Sequence, residues 1–213
     1  TSEFARDVIA VSGTQAAITV DTAADTLDGD TTSLSTLLAN KGADGFVSLR
    51  EAITAANNTA NGSQADLIAF GIAGTGVHTI TPTTALPAIT SPVRLDATTD
   101  TSYATNLNRP AIVLDGNGLL AHGLSLQGGA SGSTIRGLVI RHFAYDGLNI
   151  PAGSNDHLIA GNYIGRLTPT GTGAGTLEKN GGYGIYVGGA RNVIGGLTAG
   201  DRNVLSGNGK NGL

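Results

Sequence analysis

The sequence of 213 residues contains no cysteine, methionine or tryptophan, and aromatic residues make up only 4% of it. Without cysteine the chain forms no disulfide, thiolate metal site or cysteine nucleophile, and its redox compartment stays undetermined. No apolar run reaches the length of about 18 residues that a transmembrane helix needs, so we expect no membrane insertion. The net charge of −4 is small, and neither nucleic acid nor an anionic membrane is indicated as a partner.

What the chain does contain is glycine, 33 residues of it, within short phrases that return at a fixed interval. The phrase Gly-Leu-Ser-Leu at Gly123 returns as Gly-Leu-Asn-Ile at Gly147, 24 positions later. A second phrase ends in Ile135 and returns at Ile159, again 24 positions later. Self-similarity at this period is typical of a solenoid, in which each repeat is one structural unit.

Each repeat contains strands of only three to five residues, too short to bury an apolar face alone. If each period is one coil of a wide spiral, equivalent strands pair in parallel and inward residues form one continuous core. The sequence therefore predicts an all-β fold, a parallel β-helix with about six coils over residues 66–213. The residues expected to face inward are Leu124, Leu126, Ile135, Leu138, Ile140, Leu148, Ile150, Leu158, Ile159 and Ile164.

Residues 1–65 are predicted to form an N-terminal cap, in which residues 1–4 resemble a cloning scar and residues 7–20 form a hairpin or two short strands. Ser48 and Glu51 have the spacing of a capping box, which predicts a helix over about residues 48–58. Leu49 and Ile53 belong to its apolar stripe. Such a helix would cover the first coil, whose open end would otherwise recruit another chain.

Several segments together resemble a known family: Ile18-Thr-Val20, Ser48-Leu-Arg-Glu-Ala-Ile53, Asp66-Leu-Ile68, Gly161-Asn-Tyr-Ile-Gly165 and Arg202-Asn-Val-Leu-Ser-Gly-Asn208. They are similar to bacterial extracellular proteins named for a Cys-Ser-Leu-Arg-Glu-Ala segment, within the pectate-lyase-like right-handed β-helix proteins. Here Val47 stands where the family has its cysteine, and residues 31–46 look like an insertion. The resemblance implies a right-handed β-helix in a secreted or surface-anchored protein, but no catalytic set.

Many β-helix proteins act on acidic polysaccharides, with clustered carboxylates and a basic residue, or with paired carboxylates. The candidates here are Arg94, Asp96 and Asp115, which would be neighbours if Val93–Asp96 and Val113–Asp115 were equivalent strands. Each aspartate also precedes a turn, where its side chain can bond local amides. A second group, Arg141, His142, Asp146, Asp156 and His157, is expected to form a solvated rim rather than an acid–base pair.

An acidic loop near the N-terminus contains the candidate metal ligands Asp25, Asp28 and Asp30. Carboxylate oxygens are the ligands that Ca²⁺ prefers, and Ca²⁺ is the one cofactor that this loop would hold. The spacing does not match an EF-hand, and acidic residues at such positions also serve as ordinary turn residues. We expect no other cofactor.

We therefore expect a non-catalytic, scaffold or adhesin-like module whose two long loops, residues 96–109 and 168–182, face a polysaccharide or another surface protein. Two alternatives stay open: a polysaccharide lyase, epimerase or hydrolase, and a carbohydrate-binding module. Tyr145, Tyr163, Tyr183 and Tyr186 would supply stacking surface for a sugar, although the sequence places them in no obvious row. Because the sequence stops within a repeat and lacks methionine, we expect a piece of a longer protein whose last coil is open to end-to-end self-association.

Overall fold

The structure, a computed structural model, describes residues 15–213 and consists mostly of short β-strands with few helices. The strands β1 to β14 are Ala17–Val20, Asp66–Phe70, His78–Ile80, Val93–Asp96, Ile112–Asp115, Leu124–Ser125, Thr134–Arg136, Leu138–Arg141, Leu148–Ile150, Leu158–Ala160, Tyr163–Gly165, Ile185–Val187, Val193–Ile194 and Val204–Ser206. The α-helices α1 to α3 are Leu34–Ala39, Leu49–Asn58 and Thr101–Thr105, and short 3-10 turns lie at Ala97–Thr99, Gly128–Ala130 and Ala199–Asp201. Within the described range, every helix is too short or too polar to span a bilayer.

The strands form three sheets in which the pairing is parallel throughout. The first sheet has the order β1-β2-β4-β7-β10-β13, the second β14-β11-β8-β5-β3 and the third β12-β9-β6. The predicted parallel pairing is confirmed. Parallel neighbours need a long crossover between them, which is why each strand pairs with one from a distant part of the sequence.

The chain visits the three sheets in a fixed order. From β4 in the first sheet it passes to β5 in the second and β6 in the third, and it returns to the first sheet at β7. The same order repeats from β7 to β9 and from β10 to β12. Between β3 and β4, where the third sheet has no strand of its own, Ile89 forms a single parallel bridge to Leu126.

The 24-residue period of the sequence is the register of the sheets. Ile135 pairs with Ile159, and Leu124 pairs with Leu148, as the repeated phrases predict. The interval grows to 37 positions between Leu148 and its next partner, Ile185. This longer interval contains the predicted loop at residues 168–182. The strands on either side of the loop keep their parallel pairing.

Aliphatic side chains stack on their equivalents to form the core. In the first sheet the row is Ile18, Ile68, Leu95, Ile135, Ile159 and Ile194, and in the second it is Ile80, Leu114, Ile140, Ile164 and Leu205. Burying one such side chain stabilises the fold by roughly 1.5–3 kcal/mol. The prediction that Leu158 faces inward is wrong: it is half-buried in a row with Thr134 and Val193, because side chains alternate along a strand.

Helix α2 packs against β1 and β2 at the beginning of the first sheet. The Ser48 hydroxyl accepts a hydrogen bond from the Glu51 amide at 3.2 Å, and the Glu51 carboxylate accepts one from the Ser48 amide at 2.9 Å. Leu49 and Ile53 are each 1% exposed. The stripe of small and aliphatic residues therefore covers the apolar rows at this end.

Strand β1 lies within the segment that the sequence assigns to the cap, yet it is the outermost strand of the first sheet. It pairs in parallel with β2, in the register Ile18 with Ile68. Residues 7–14 of the predicted hairpin lie outside the described residues. Five of the six strands in this sheet come from residues 66–213, and β1 is the sixth. The sequence predicts about six coils for residues 66–213.

The side chains of asparagines at the turns form hydrogen bonds to backbone groups of the preceding repeat. Asn162 is fully buried; its Oδ1 accepts from the Leu138 amide at 3.0 Å, and its Nδ2 donates to the Ile135 carbonyl at 2.9 Å. Hydrogen bonds to the backbone of the preceding coil are also made by Asn180, Asn192, Asn203 and Asn208. These side chains satisfy turn amides and carbonyls that would otherwise be buried without partners.

Candidate functional site: a cleft beside the first loop

The two long loops of the sequence, the first loop at residues 96–109 and the second loop at residues 168–182, are in direct contact. Asn106 Nδ2 donates to the Pro169 carbonyl at 3.1 Å, and Arg109 Nη1 donates to the Thr170 carbonyl at 3.1 Å. Because both carbonyls belong to the second loop, the first loop is held against it. A cleft opens beside this contact.

Aspartates shape the first loop. Asp100 begins α3, and its carboxylate accepts from the amides of Ser102 and Ile72, each at 2.9 Å. Burial opposes ionisation of Asp100, but these hydrogen bonds outweigh it and lower the pKa of the carboxyl. After the helix, Leu107 and Asn108 have φ angles of 60° and 55°, a left-handed conformation that costs a non-glycine residue roughly 1–3 kcal/mol. Such strain is concentrated at functional sites.

The cleft has a volume of about 430 Å³, within the usual range for ligand pockets of roughly 300–1,000 Å³. Residues of the first loop form one side of it, and residues at and before β11 and β14 form the other. Its lining comprises Tyr103, Leu107, Asn108, Arg109, Pro110, Gly161, Tyr163, Ala199, Gly200, Arg202 and Val204.

Two arginines give this lining a positive charge. Arg109 donates to backbone carbonyls, and Arg202 is exposed; neither forms an ion pair with a carboxylate anywhere in residues 15–213. By contrast Arg136, close by, is paired with Asp201 at 3.1 Å. The cleft therefore presents two guanidinium groups whose charge is not balanced by its own lining.

Two tyrosines lie beside these arginines. Burial raises the pKa of the Tyr103 phenol, and the nearby Arg136 guanidinium offsets only part of this effect. Tyr103 is thus a neutral phenol at physiological pH and can donate a hydrogen bond. Tyr163 is half-buried on β11, close to Gly171 of the second loop. The cleft combines cationic donors with flat aromatic faces.

Of the sequence-predicted catalytic candidates, Arg94 and Asp96 lie together on β4 and form an ion pair at 2.7 Å. Asp96 is 2% exposed, and its other oxygen accepts from the amide and hydroxyl of Thr98 in the turn after the strand. Burial opposes ionisation of Asp96, but the hydrogen bonds from Thr98 and Arg94 outweigh it and lower its pKa. The carboxylate is occupied by its own turn.

Asp115 does not join them. The expectation that Val93–Asp96 and Val113–Asp115 are equivalent strands is wrong, because β4 lies in the first sheet and β5 in the second. The 19 positions from Asp96 to Asp115 are fewer than the 24 that separate paired strands of one sheet, and the chain has reached only the next sheet. Asp115 instead contacts Arg141 Nε at 2.9 Å and His142 Nδ1 at 3.2 Å.

The second predicted group is divided among separate places. Arg141 and His142 meet Asp115, whereas Asp156 forms an exposed ion pair with Arg191, with two contacts of 2.7 Å. A pair this exposed contributes little to stability. Asp146 lies against a histidine that the sequence analysis does not single out, His122, at 3.2 Å.

His157 contradicts the expectation of a solvated rim. Its side chain is 1% exposed, Nδ1 accepts from the Ser133 amide at 3.2 Å, and Nε2 lies 2.7 Å from the Ser154 hydroxyl. The imidazole fills a position beneath a turn and links two adjacent coils. Nothing in the sequence phrase around it distinguishes this burial from exposure.

The three candidate calcium ligands are engaged separately. Asp25 accepts from Arg50 and from Thr83, and Asp28 accepts from the amides of residues 43 and 44. Asp30 accepts from Thr32. In the described part of the chain, no three histidine, aspartate or glutamate side chains are grouped as metal ligands. Through Asp25 the acidic loop is attached to α2 and to the turn at residue 83.

Sequence reasoning identified the two loops but not the cleft residues Tyr103, Arg109 and Arg202. The irregular spacing of the repeats marks the loops, whereas the missing carboxylate partners of the arginines are a property of the folded chain. In comparisons with known proteins, no family model, curated protein or solved structure matches this chain.

Proposed function

We propose that the chain is a right-handed parallel β-helix, a non-catalytic module of a secreted or cell-surface protein that holds an acidic partner in the cleft beside its first loop. The observation that carries this proposal is the pair of cleft arginines, Arg109 and Arg202, for which the described residues provide no carboxylate. A positively charged concave surface attracts and orients a ligand of the opposite charge.

The cyclic order in which the chain visits its three sheets supports the β-helical path. A single spiral produces this order, because each coil contributes at most one strand to each sheet. The right hand is supported by a general rule: connections between parallel strands of one sheet are right-handed in about 98% of cases.

The state of the candidate carboxylates supports binding over turnover. Asp96 and Asp115 are held by their own neighbours in different sheets, and the lining of the cleft includes no aspartate or glutamate. The paired carboxylates of a glycoside hydrolase would stand roughly 5–10 Å apart and face a common substrate. A polysaccharide lyase, epimerase or hydrolase stays the alternative, since a fold does not decide function.

The acidic partner that best fits two tyrosines and two arginines is a polysaccharide, whose rings can pack on the phenols while its anionic groups meet the guanidinium groups. Binding of the purified chain to immobilised polygalacturonate and chondroitin sulfate tests this, with dextran as the neutral control. We expect binding to the acidic polymers alone, weakened by salt. A chelator should change nothing.

Arg109→Gln and Arg202→Gln should each weaken that binding about 10- to 100-fold, since a charge-assisted hydrogen bond contributes roughly 1.5–3 kcal/mol. Lys179→Gln is the matched control, because Lys179 is exposed, lies outside the cleft and has no ion-pair partner in the described range. Equal weakening in all three variants would reduce the interaction to non-specific charge attraction. Product release that disappears in Asp96→Asn or Asp115→Asn would establish the enzyme alternative instead.

The cellular placement and self-association are also proposals. The secreted or surface location rests on the family resemblance, and fractionation of cells that express the chain tests it. Self-association is supported by β12, β13 and β14, which are the outermost strands of the three sheets at one end, where Val193 and Leu213 are 54% and 60% exposed. Sedimentation that shows a strict monomer at high concentration would contradict it.

A further inference from the structure

A second groove, which we call the aromatic groove, lies on the corner where the chain passes from the second sheet to the third. It consists of two adjoining hollows of about 440 and 230 Å³ that share His122 and Tyr145. The cleft that contains Arg109 and Arg202 lies on a different corner, between the first and second sheets. The lining of the aromatic groove comprises Ala85, Leu86, Leu120, Ala121, His122, Gly123, Ser125, Ala144, Tyr145, Asp146, Gly181, Gly182 and Lys210.

The floor of this groove is a column of four residues on successive coils. The amide of Tyr145 donates to the carbonyl of Ala121, that of Gly182 to Tyr145, and that of Lys210 to Gly182. Three strand spacings separate the ends of the column, a length of about 14 Å. Because these amides are already bonded to the coil below, a peptide cannot add to them as a further strand, and a ligand must be recognised by side chains.

Small residues keep the floor low. A side chain at Gly182 would collide with the Asp146 carboxylate, and one at Gly181 would collide with the Ala144 carbonyl. Glycine is therefore required at both positions by packing between coils. The consequence is a shallow channel beside which the ring of Tyr145 stands, 49% exposed.

Aromatic rings and two charges of opposite sign border the channel. The rings of His122 and Tyr145 are 5.4 Å apart, and Lys210 Nζ lies 5.0 Å from the centre of the Tyr183 ring. The Asp146 carboxylate accepts from the Tyr183 amide at 2.7 Å and keeps acceptor capacity. The carboxylate and the ammonium cancel in charge, unlike the two arginines of the other cleft.

We infer that the aromatic groove binds a neutral oligosaccharide. A sugar presents an apolar C–H face that packs on a phenol or imidazole ring, and hydroxyl groups that both donate and accept. Asp146 supplies an acceptor, Lys210 a donor and His122 a ring nitrogen, while Tyr145 supplies rigid contact area at little cost in conformational entropy. The charge balance selects against the acidic ligands that suit Arg109 and Arg202.

Titration of the 213-residue chain with cello-, manno-, xylo- and chitohexaose tests the inference. The readouts are saturation-transfer NMR and tyrosine fluorescence. The chain has five tyrosines and no tryptophan, so tryptophan emission does not mask the tyrosine signal. We expect at least one hexasaccharide to bind. Tyr145→Ala should weaken that binding about tenfold and Tyr145→Phe should retain it, because the ring face, not the hydroxyl, provides the contact.

Tyr163→Ala is the matched control, since it removes a half-buried tyrosine from the cleft of Arg109 and Arg202 and should leave hexasaccharide binding unchanged. Circular dichroism checks that each variant is folded. Absence of binding to all four sugars, or a loss caused by Tyr163→Ala rather than Tyr145→Ala, would overturn the inference. Either result leaves the proposed acidic partner standing, because that proposal is tested with different polymers and with the arginine variants.

Discussion

The buried imidazole of His157 should make the stability of this protein depend on pH. The Ser154 hydroxyl donates to the Gln127 carbonyl at 2.9 Å, so it accepts from His157 Nε2, which lies 2.7 Å away. His157 Nδ1 accepts from the Ser133 amide. The folded protein therefore contains the neutral imidazole with its proton on Nε2. A second proton would fall on Nδ1, where it would face the Ser133 amide.

Burial lowers the pKa of His157, and the nearby Asp156 carboxylate offsets only part of this effect. The unfolded chain then binds more protons than the folded one once the pH falls below the ordinary histidine value of about 6.5. The stabilising contribution is present above that pH and is lost as the pH falls toward the folded pKa. From pH 6.5 to 5.0 the loss is at most about 2 kcal/mol, at 1.36 kcal/mol for each pH unit.

Thermal unfolding of the wild type and of His157→Asn, followed by circular dichroism between pH 8 and 5, measures this loss. Asparagine keeps an acceptor for the Ser133 amide but does not titrate, and the other histidines are the same in both proteins. We expect the variant to be the less stable at pH 8. The difference in Tm should narrow by up to about 4–8 °C at pH 5, because 1 kcal/mol corresponds to roughly 2–4 °C in a domain of this size. The half-exposed His142→Asn is the control; a His157→Asn difference that does not change with pH would refute the reasoning.

Three further changes probe the fold. Asp66 is 1% exposed, and its carboxylate oxygens make no full hydrogen bond to the described residues. Burial raises the pKa of this carboxyl, so its contribution to stability falls as the pH rises. Asp66→Asn should therefore stabilise the protein by roughly 1–3 kcal/mol at pH 8 but not near pH 4, as urea midpoints would show. The Glu51 carboxylate accepts from the amides of Ser48, Asp28 and Gly29. Glu51→Ala should lower the free energy of unfolding by roughly 1–3 kcal/mol for each amide left without an acceptor, and an unchanged urea midpoint would contradict this. Asn162→Ala should lower the free energy of unfolding by roughly 1–3 kcal/mol in the same assay, because Asn162 bonds the Leu138 amide and the Ile135 carbonyl. The exposed Asn211→Ala should change it by no more than about 0.5 kcal/mol, and equal effects would contradict the role of Asn162.

The periodic part of the fold could be predicted from the sequence because each repeat carries its own short motif. The pairing of Ile135 with Ile159 follows from the recurrence of the same phrase, and the helix at Leu49–Asn58 follows from its cap and apolar stripe. Errors arose where a side chain's environment depends on the coil next to it. Leu158 and His157 are adjacent in one phrase, yet the apolar residue is half-exposed and the histidine is buried.

The sequence by itself determined the parallel strands, the period and the two long loops, since short aliphatic segments separated by glycine have few other ways to bury their apolar faces. Only the tertiary structure decided which charges remain without a partner. Asp96 and Asp115 look alike in sequence, but the fold places them in different sheets, beside different arginines. Arg109 and Arg202, 93 positions apart, line one cleft because the first loop lies beside the segment before β14. Contacts of this kind depend on how successive coils stack, and no short stretch of sequence contains that information.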